Sequence, residues 1–310
     1  MIMNEISAFL DAGKSKLPHI EYRLDEPMKN HTSFRVGAPI SVMYFPTSSV
    51  MLADLYALMK EYSILPVIIG NGTNLLVDDS RPLEIVAIKT VGLDSIEKIS
   101  DTEIRAGAGV SLQRLSLYTH ECKLAGFEFA HGIPGTLGGA VSMNAGAYGR
   151  EMMDVIDSSE TLTYHGITTY NAKEHDFSYR QSRFTDTEEI IISSVIRLEP
   201  GDKNEIEAKM NDYDTRRRNS QPLNMLSAGS TFKRPEGGYA AALIEQAGLK
   251  GFSIGGALVS DKHAGFIVNT GTATYSDIMA VIMHIKEKVF ADTGIELETE
   301  NRIISCNGNT

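Results

Sequence analysis

The sequence predicts an α+β protein, in which strand and helix patterns alternate at both ends of the chain around a strand-rich middle. Strand-like runs at residues 42–46 and 66–70 flank a helical pattern, and the last third returns to this alternation. Between residues 161 and 198 the runs have strand composition. With 310 residues, 42% of them hydrophobic, the chain is long enough for two or three domains with their own cores.

Apolar periodicity and capping residues define the elements of the first half. After a strand at Val42–Pro46, Ser48 or Ser49 caps an amphipathic helix. A second helix begins near Ser111 and turns its leucines inward. Shorter strands are predicted at Pro66–Gly70, Leu75–Val77, Ile85–Ile88 and Ile104–Ala106.

The second half has strands, then a polar helix, then an α/β pattern. Helices are predicted at Asn204–Arg218, from Ala240 to a stop at Gly248, and from Thr274 or Ser276 to Gly294. Strands are predicted at Thr161–Tyr164, Thr168–Asn171, Glu189–Leu198, Ile254–Val259, Gly265–Asn269 and Leu297–Ile304. The last would be an edge strand with Glu298, Glu300 and Arg302 on one face. A domain boundary is predicted near residues 220–222.

Composition excludes several classes of partner. The net charge of −11 argues against nucleic acid and against an anionic membrane, because both attract basic surfaces. No apolar run approaches the roughly 18 residues of a membrane helix, and residues 1–16 have no signal-peptide core. We therefore expect a cytoplasmic protein. Cys122 and Cys306 lie far apart without metal-ligand spacing, so we expect packing thiols and no metal site.

Glycine-rich stretches are the most informative local feature. The first is Ile69–Asn74, and the second is His131–Gly139, which continues to Asn144–Gly149. Segments with few Cβ atoms let backbone N–H groups approach an anion closely. Two such stretches suggest a ligand with two negative groups, for which a dinucleotide pyrophosphate is the candidate. Tight turns in an α/β protein are the alternative interpretation.

The glycine spacing excludes two familiar nucleotide sites. Neither stretch reads G-x-G-x-x-G at the start of a helix, so a Rossmann site fits poorly. Neither reads G-x-x-x-x-G-K-[ST], which excludes a P-loop.

Three further segments contain residues suited to catalysis or binding. Arg180 and Arg183 flank polar and aromatic residues, and a guanidinium binds carboxylate or phosphate. Ser230 follows a glycine and precedes Lys233 and Arg234, so nearby positive charge would favour proton donation by its hydroxyl. His263 can bind substrate or act as a base. The alternatives are a solvated arginine, a turn serine and a loop histidine.

In their order along the chain, these segments resemble the UDP-N-acetylenolpyruvoylglucosamine reductase family, also called UDP-N-acetylmuramate dehydrogenases, of bacterial peptidoglycan precursor synthesis. The resemblance covers about residues 30–304. The matching segments are Asn30–Gly37, the Gly70 loop, Gly132–Gly139, Asn144–Gly149, Tyr179–Arg180, Gly229–Pro235, Gly251–Asn269 and Leu297–Ile304.

The resemblance implies a vanillyl-alcohol-oxidase-type (PCMH-type) FAD-binding fold of two α/β subdomains, followed by a C-terminal α/β substrate-binding domain. The subdomains would be residues 1–88 and 89–218, with a strand at about 296–310 packing back on the first, and the substrate-binding domain would be 219–310. It also implies non-covalent FAD, NADPH as hydride donor, UDP-N-acetylglucosamine enolpyruvate as substrate, and a monomer without membrane or nucleic-acid partner.

The resemblance also assigns residues to FAD, in agreement with the anion-cradling character of the glycine stretches. The implied FAD contacts are Gly70, Asn71, Gly72, Thr73, Asn74, Gly132, Ile133, Pro134, Gly135, Thr136, Gly138, Gly139, Asn144, Gly146, Ala147 and Arg217.

The family reaction has two halves. NADPH reduces the flavin, whose N5 then delivers hydride to the terminal carbon of the enolpyruvyl ether, and the adjacent carbon is protonated. By resemblance, Arg180 and Glu300 contact the substrate carboxylate where negative charge develops, with Glu300 acting through a proton. Ser230 would be the proton donor, which suffices because the acceptor is a strongly basic, carbanion-like carbon.

Two departures from the family pattern bear on the site. Leu226 stands where the family usually has proline, so the loop before Ser230 is expected to be less rigid. The chain also lacks the insertion that carries a tyrosine loop over the uridine, so it resembles the shorter subclass. Gln221, Arg234 and His263 are the candidates for nucleotide contacts, and Tyr179 and Lys233 complete the expected substrate contacts.

Two other functions remain open from the sequence. An oxidase of the same fold often tethers FAD through a histidine in the first loop, and residues 70–74 contain none. A non-catalytic nucleotide-sugar binding protein would keep the glycine stretches but would not need Ser230. A purified protein without flavin colour would favour the binding protein.

Overall fold

The computed structural model describes the backbone of residues 2–305, 308 and 309 and the side chains of residues 5–305. Cys122 is half-buried and packs against a hydrophobic core, which confirms a packing thiol, whereas Cys306 lies outside the described residues. None of the described helices is long and apolar enough to cross a membrane.

Helices and strands alternate along the chain. The helices are α1 (Ile2–Lys16), α2 (Ser49–Glu61), α3 (Leu112–Glu121), α4 (Leu137–Ser142), α5 (Lys203–Ser220), α6 (Ala240–Gln246) and α7 (Tyr275–Thr293). The strands are β1 (Glu21–Pro27), β2 (Pro39–Phe45), β3 (Val67–Ile69), β4 (Leu75–Val77), β5 (Leu83–Lys89), β6 (Ile96–Lys98), β7 (Glu103–Gly107), β8 (Leu124–Ala125), β9 (Gly146–Ala147), β10 (Arg150–Glu151), β11 (Ile156–Thr163), β12 (Gly166–Asn171), β13 (Ile190–Arg197), β14 (Glu199–Pro200), β15 (Ser253–Ile254), β16 (Ala257–Val259), β17 (Ile267–Asn269), β18 (Arg302–Ser305) and β19 (Gly308–Asn309).

The first of two compact units comprises residues 1–24, 41–71 and 84–216. It holds most of a four-stranded sheet of order β1-β2-β5-β3, in which β3 runs parallel to β5 with Ile69 opposite Lys89. One core, which includes Phe9, Tyr44 and Leu55, lies under α1 and α2. A five-stranded antiparallel sheet of order β12-β11-β13-β7-β6 contributes to a second core with α3 and α4.

The second unit comprises residues 25–40, 72–83 and 217–310. Its β18 pairs in parallel with β4, with Arg302 opposite Leu75, so the end of the chain returns to the residues that follow the first glycine stretch. Strands β15, β16 and β17 form an antiparallel sheet, and α7 buries Ile278 and Ile282 in the core of this unit. These two units are each built from several parts of the chain, so they do not test the domain boundaries predicted at 88/89 and 218/219.

The strand predicted at Ile254–Val259 is wrong as a single element. The structure has a hairpin there, in which β15 and β16 are joined by Gly255 and Gly256. Gly255 has a φ of +53°, and a Cβ on Gly256 would lie 2.3 Å from the amide nitrogen of Ala273. Both positions therefore favour glycine, and the apolar residues on either side hid the turn.

The edge strand predicted at Leu297–Ile304 is wrong in extent and in position. Only Arg302–Ser305 forms a strand, and it lies between β4 and β19. The residues before it pair elsewhere: Thr299 lies opposite Phe232 in an isolated bridge. Residues 297–305 therefore pair with two different parts of the second unit, first with the segment around Phe232 and then with β4.

Helix α7 begins with a capping box, as the threonine at its predicted start indicates. Thr274 Oγ1 accepts the N–H of Asp277 at 3.1 Å, and the Asp277 carboxylate accepts the N–H of Thr274 at 3.0 Å. Asp277 also accepts the N–H of Gly256 at 3.2 Å, which ties the helix to the β15–β16 hairpin. These hydrogen bonds from Thr274 and Gly256 hold the pKa of Asp277 below its ordinary value.

We expect Thr274→Ala to lower the free energy of unfolding by about 1 kcal/mol, because it removes the N-cap acceptor. Urea denaturation of the purified variant measures this change. Ser276→Ala, an exposed position in the same helical turn, is the matched control and should change stability by less than about 0.5 kcal/mol. Equal effects of the two substitutions would contradict the capping role of Thr274.

Candidate active site

The two predicted cofactor stretches meet in the first unit. Gly70 follows β3, and a Cβ added to it would lie only 2.2 Å from Thr136 Oγ1, at the start of α4. Thr136 is 2% exposed, and its hydroxyl has no hydrogen-bond partner among the residues that the structure describes. The absence of a side chain on Gly70 is what lets the two segments approach.

Backbone hydrogen bonds anchor the second glycine stretch to the segment before α3. The N–H of Leu137 donates to the Val110 carbonyl at 2.8 Å, and the N–H of Gly138 donates to the Ala108 carbonyl at 2.9 Å. Gly138 is thus a close-packing glycine, whereas Gly139 is exposed and leaves room for a ligand to approach. The segment that leads to Thr136 contains Gly132, Ile133, Pro134 and Gly135.

These residues fit FAD as a cofactor. A buried hydroxyl without a partner normally has a ligand or water to bond to, because leaving it unsatisfied costs about 1–3 kcal/mol. Thr136 Oγ1 is such a group, and it lies against the Cβ-free surface of Gly70. A phosphate oxygen is the kind of acceptor that this hydroxyl and the adjacent backbone can bind.

Gly72, Thr73 and Asn74 of the first stretch belong to the second unit. Gly72 has a φ of +66°, and a Cβ there would lie 1.9 Å from the carbonyl oxygen of His31. The Asn74 side chain donates to the Glu300 carbonyl at 3.0 Å, and the N–H of Arg302 donates to the Asn74 carbonyl at 2.9 Å. Within this unit, the structure therefore brings predicted cofactor residue Asn74 beside predicted catalytic residue Glu300.

Arg180 lies at the tip of a tight turn in the first unit. Ser178 and Gln181 exchange backbone hydrogen bonds of 3.0 and 3.2 Å, which leaves Tyr179 and Arg180 as the two turn residues. Arg180 has a φ of +57°, a conformation that is uncommon for a residue with a Cβ and that often occurs at functional sites. Its guanidinium lies 5.0 Å from the centroid of the Tyr179 ring.

Asn144 and Glu151 hold the Arg180 turn in place. Asn144 is fully buried and donates to Glu151 at 2.9 Å and to the Ser178 carbonyl at 3.0 Å. The Arg180 guanidinium reaches the carbonyls of Asn144 and Gly146 at 3.4 and 3.5 Å and lies 3.8 Å from Glu151. Predicted FAD residues Asn144 and Gly146 thus supply the carbonyl groups that hold the Arg180 side chain.

Ser230 and Glu300 lie on paired segments of the second unit. The N–H of Glu300 donates to the Thr231 carbonyl at 2.8 Å, next to Ser230. Gly229 has a φ of +80° and an open surface, so the approach to Ser230 is not blocked from that side. Ser230 Oγ is 3.3 Å from the Phe232 carbonyl, to which it donates.

Asn301 is a site residue that sequence analysis missed. It is 4% exposed and donates to Asn74 Oδ1 and to the Ala228 carbonyl, both at 2.9 Å. Its Oδ1 has no hydrogen-bond partner in the described part of the chain. The sequence did contain a signal for Asn301: it is a polar residue on the face that the alternating pattern of residues 297–304 assigned to apolar side chains.

The predicted nucleotide contacts differ in their surroundings. Lys233 forms an ion pair with Glu298, and Arg234 stacks on Tyr239 at 4.4 Å from the ring centroid. Gln221 Oε1 is buried and has no partner within residues 5–305.

The hydrogen bonding of His263, another predicted nucleotide contact, defines the tautomer of its ring. Its Nδ1 accepts the N–H of Gly265 at 3.2 Å, and burial lowers its pKa, so the neutral ring carries its proton on Nε2. Arg217, on the last turn of α5, also belongs to the second unit.

Comparison with known proteins agrees with this geometry. Residues 40–169 match the family described as FAD binding domain, and residues 221–304 match the family described as UDP-N-acetylenolpyruvoylglucosamine reductase, C-terminal domain. The fold and site therefore define an FAD-dependent oxidoreductase. This confirms the predicted fold class, with its vanillyl-alcohol-oxidase-type FAD-binding fold, and FAD as the cofactor.

Relatives of nearly the same length show to which family of FAD-dependent oxidoreductases the chain belongs. UDP-N-acetylenolpyruvoylglucosamine reductase of Caldanaerobacter subterraneus subsp. tengcongensis is 46% identical over 95% of this chain and 97% of its own. The Clostridioides difficile enzyme is 44% identical over 92% and 93%. A crystal structure of the Thermus caldophilus reductase superposes with a TM-score of 0.79 at 30% identity, covering 92% of this chain and 99% of that one. The chain belongs to the UDP-N-acetylenolpyruvoylglucosamine reductase family, which disfavours the oxidase and the non-catalytic binding protein.

We expect Gly70→Ala to lower the free energy of unfolding by about 1–3 kcal/mol, because the new Cβ would overlap Thr136 Oγ1. Flavin absorbance relative to protein absorbance after purification should fall as well. Adding Thr136→Ala should restore stability but not flavin content, because the hydroxyl is then gone. Gly238→Ala, where an added Cβ would meet open space, is the control. Retention of full stability and flavin in Gly70→Ala would contradict the close approach.

His175 lies beneath the Arg180 turn, since its carbonyl accepts the N–H of Arg183 at 2.8 Å. Its Nδ1 is 2.7 Å from the Asn171 carbonyl and its Nε2 is 2.8 Å from Ser159 Oγ. Burial lowers the pKa of His175 below its ordinary value of 6.5. The neutral ring therefore donates from Nδ1 to the Asn171 carbonyl and accepts the Ser159 hydroxyl at Nε2.

We expect this histidine to make stability fall in acid. Since the folded pKa lies below the unfolded one, its contribution is present above about pH 6.5 and is lost as the pH falls towards the folded pKa, with a slope of at most about 1.4 kcal/mol per pH unit. Urea titrations between about pH 7 and 5 should show a shallower slope for His175→Gln than for the unmodified protein. The exposed His165→Gln control should keep the original slope, and an unchanged slope in His175→Gln would refute the assignment.

Proposed function

We propose that this protein catalyses the NADPH-dependent reduction of UDP-N-acetylglucosamine enolpyruvate to UDP-N-acetylmuramate, the reaction of its family in peptidoglycan precursor synthesis. The observation that carries the proposal is the pairing of Glu300 with the residue next to Ser230, beside Asn74 of the cofactor stretch. A proton donor and a carboxyl group beside a flavin stretch suit reduction of an enolpyruvyl double bond.

FAD would be held by the glycine stretches, with Thr136 and the backbone around Gly70 at its pyrophosphate. The chemistry that bound FAD supplies is two-electron transfer from NADPH to the terminal carbon of the enolpyruvyl group. The protein's own part is to bind the substrate, stabilise its charge and donate one proton.

Arg180 and Glu300 would bind the substrate carboxylate. Negative charge spreads into this carboxylate when hydride adds to the neighbouring double bond, so a fixed cation there stabilises the transition state more than the ground state. The buried support from Asn144 keeps the Arg180 turn in one conformation, which reduces reorganisation during the reaction. Glu300 would share a proton with the same carboxylate.

Ser230 would protonate the carbon that bears the ether and the carboxylate. A Cβ on the neighbouring Gly229 would meet open space, and within the described residues the Ser230 hydroxyl donates one long hydrogen bond, to the Phe232 carbonyl. A weak existing bond leaves the proton available for transfer. Lys233, three residues further along the chain, would stabilise the alkoxide that remains until Ser230 recovers a proton.

The nucleotide contacts would come from complementary hydrogen-bond groups. Gln221 Oε1 is a buried acceptor without a donor, which suits the imide N–H of uracil. The Nε2–H of His263 suits an oxygen acceptor, and the exposed Arg234 suits the diphosphate. Tyr179 would pack beside the substrate next to Arg180. We further propose a cytoplasmic location, because the protein would draw its nucleotide-sugar substrate and NADPH from that compartment, and a monomer, as the family resemblance implies.

The test is a pair of anaerobic half-reactions on Ser230→Ala. Flavin reduction by NADPH should stay within about twofold of the unmodified protein, because Ser230 has no role in it. Reoxidation by UDP-N-acetylglucosamine enolpyruvate should slow by roughly 10²–10⁴-fold, the range of general acid catalysis. Stopped-flow absorbance of the flavin measures both rates.

Ser227→Ala, on the same loop and of the same chemistry, is the control and should leave both half-reactions intact. Equal slowing of both half-reactions in Ser230→Ala would refute the proton-donor role. Failure of the enolpyruvyl substrate to reoxidise the reduced, unmodified protein without oxygen would refute the proposed substrate.

A further inference from the structure

Lys89 is a buried lysine that the roles above do not use. It is 8% exposed and ends β5, opposite Ile69 of the parallel strand β3. The carboxyl ends of parallel strands meet at the same edge of a sheet, and ligands of open α/β sheets bind outside that edge. Lys89 therefore lies at the edge from which Gly70 and Asn71 leave β3.

The ammonium group of Lys89 has no counter-charge in the described structure. No side chain from residue 5 to residue 305 forms an ion pair or hydrogen bond with it, and burial alone lowers its pKa to about 8. Buried lysines are rare unless they are paired, because removing a charge from water is expensive. An anion that is absent from the polypeptide itself would supply the missing partner.

The surroundings of Lys89 are those of the glycine stretches. Thr90 Oγ1 donates to the Ile69 carbonyl at 3.3 Å, and a Cβ on Gly109 would lie 2.2 Å from the Thr90 carbonyl oxygen. Ala108, the neighbour of Gly109, accepts the N–H of Gly138 from the second stretch. The segment that carries Lys89 thus bonds to the first stretch directly and reaches the second stretch through residues 108 and 109.

We propose that Lys89 is the counter-charge of the FAD pyrophosphate. The pyrophosphate is the part of FAD that is anionic at every working pH, whereas the oxidised isoalloxazine ring is neutral. A lysine is a compact charge suited to a phosphate group. The inference rests on the cofactor role proposed for the glycine stretches, and it goes beyond that role by assigning the charge that balances the bound anion.

The test compares Lys89→Met, which has a similar shape without the charge, with Lys89→Arg. FAD dissociation is followed by the rise in flavin fluorescence when the holoenzyme is diluted. We expect Lys89→Met to raise the FAD Kd by roughly 10–100-fold, the loss of one charge-assisted hydrogen bond, and Lys89→Arg to stay within about tenfold. Lys98→Met, at an exposed position on β6, should leave the Kd unchanged.

A second measurement separates this role from simple packing. Protein stripped of FAD should melt at the same or a higher temperature in Lys89→Met, because an uncompensated buried charge has been removed. A lower melting temperature of the stripped variant with an unchanged FAD Kd would show a structural lysine and overturn the proposal.

The position of the charge is tested by the flavin reduction potential. If Lys89 lies at the pyrophosphate, Lys89→Met should leave the reduction potential of the isoalloxazine ring unchanged. If Lys89 lies at the ring instead, removal of its charge should lower that potential. A lowered potential would overturn the pyrophosphate assignment. If the unmodified protein binds no FAD, the proposed function fails instead, so the two failures are distinguishable.

Discussion

The hydrogen bond between Asn301 and Asn74 is the constraint on which the proposed catalytic part of the second unit depends. Asn301 donates to Asn74 Oδ1 and to the Ala228 carbonyl, and Asn74 donates to the Glu300 carbonyl. One pair of amide side chains therefore fixes the residues that lead into β4, the loop before Ser230, and the backbone of Glu300. Buried polar networks of this kind favour one arrangement over its alternatives, because any other leaves polar groups unsatisfied.

Buried polar groups without partners mark where ligands are expected. In a folded protein nearly every buried donor or acceptor has a partner, so exceptions call for an explanation. Among the described residues, such groups include Thr136 Oγ1 and Gln221 Oε1. The buried residue Lys89 also has no ion-pair partner in the described part of the chain. The first group is a hydroxyl, the second accepts hydrogen bonds, and the third is a cation. This combination suits ligands that carry phosphates and a nucleobase, and it does not suit a dry hydrophobic pocket.

The sequence predicted the elements whose signals are local. Ser48 and Thr274 do cap α2 and α7, because their side chains bond backbone N–H groups a few residues away. The apolar pattern gave a wrong strand boundary where pairing is non-local. Residues 298–300 pair with the segment after Ser230 and are therefore not part of the strand that was predicted over 297–304. Helix α4 was not predicted either, since two of its residues are glycine and its position depends on Ala108 and Val110. The motifs predicted Arg180, Ser230 and Glu300, but Asn301 and Lys89 belong to no motif.

The charge distribution explains how an acidic protein can handle anionic ligands. The net charge of −11 would repel a pyrophosphate and a nucleotide sugar at long range, but salt screens this repulsion beyond about 10 Å. Recognition must then come from cations close to each anion. Arg180 and Lys89 are mostly buried, where water and salt weaken their fields least. In the proposed roles, these two cations attract the anions at close range while the net charge of the protein stays acidic, which disfavours nucleic acid and other large anions without weakening the proposed ligand contacts.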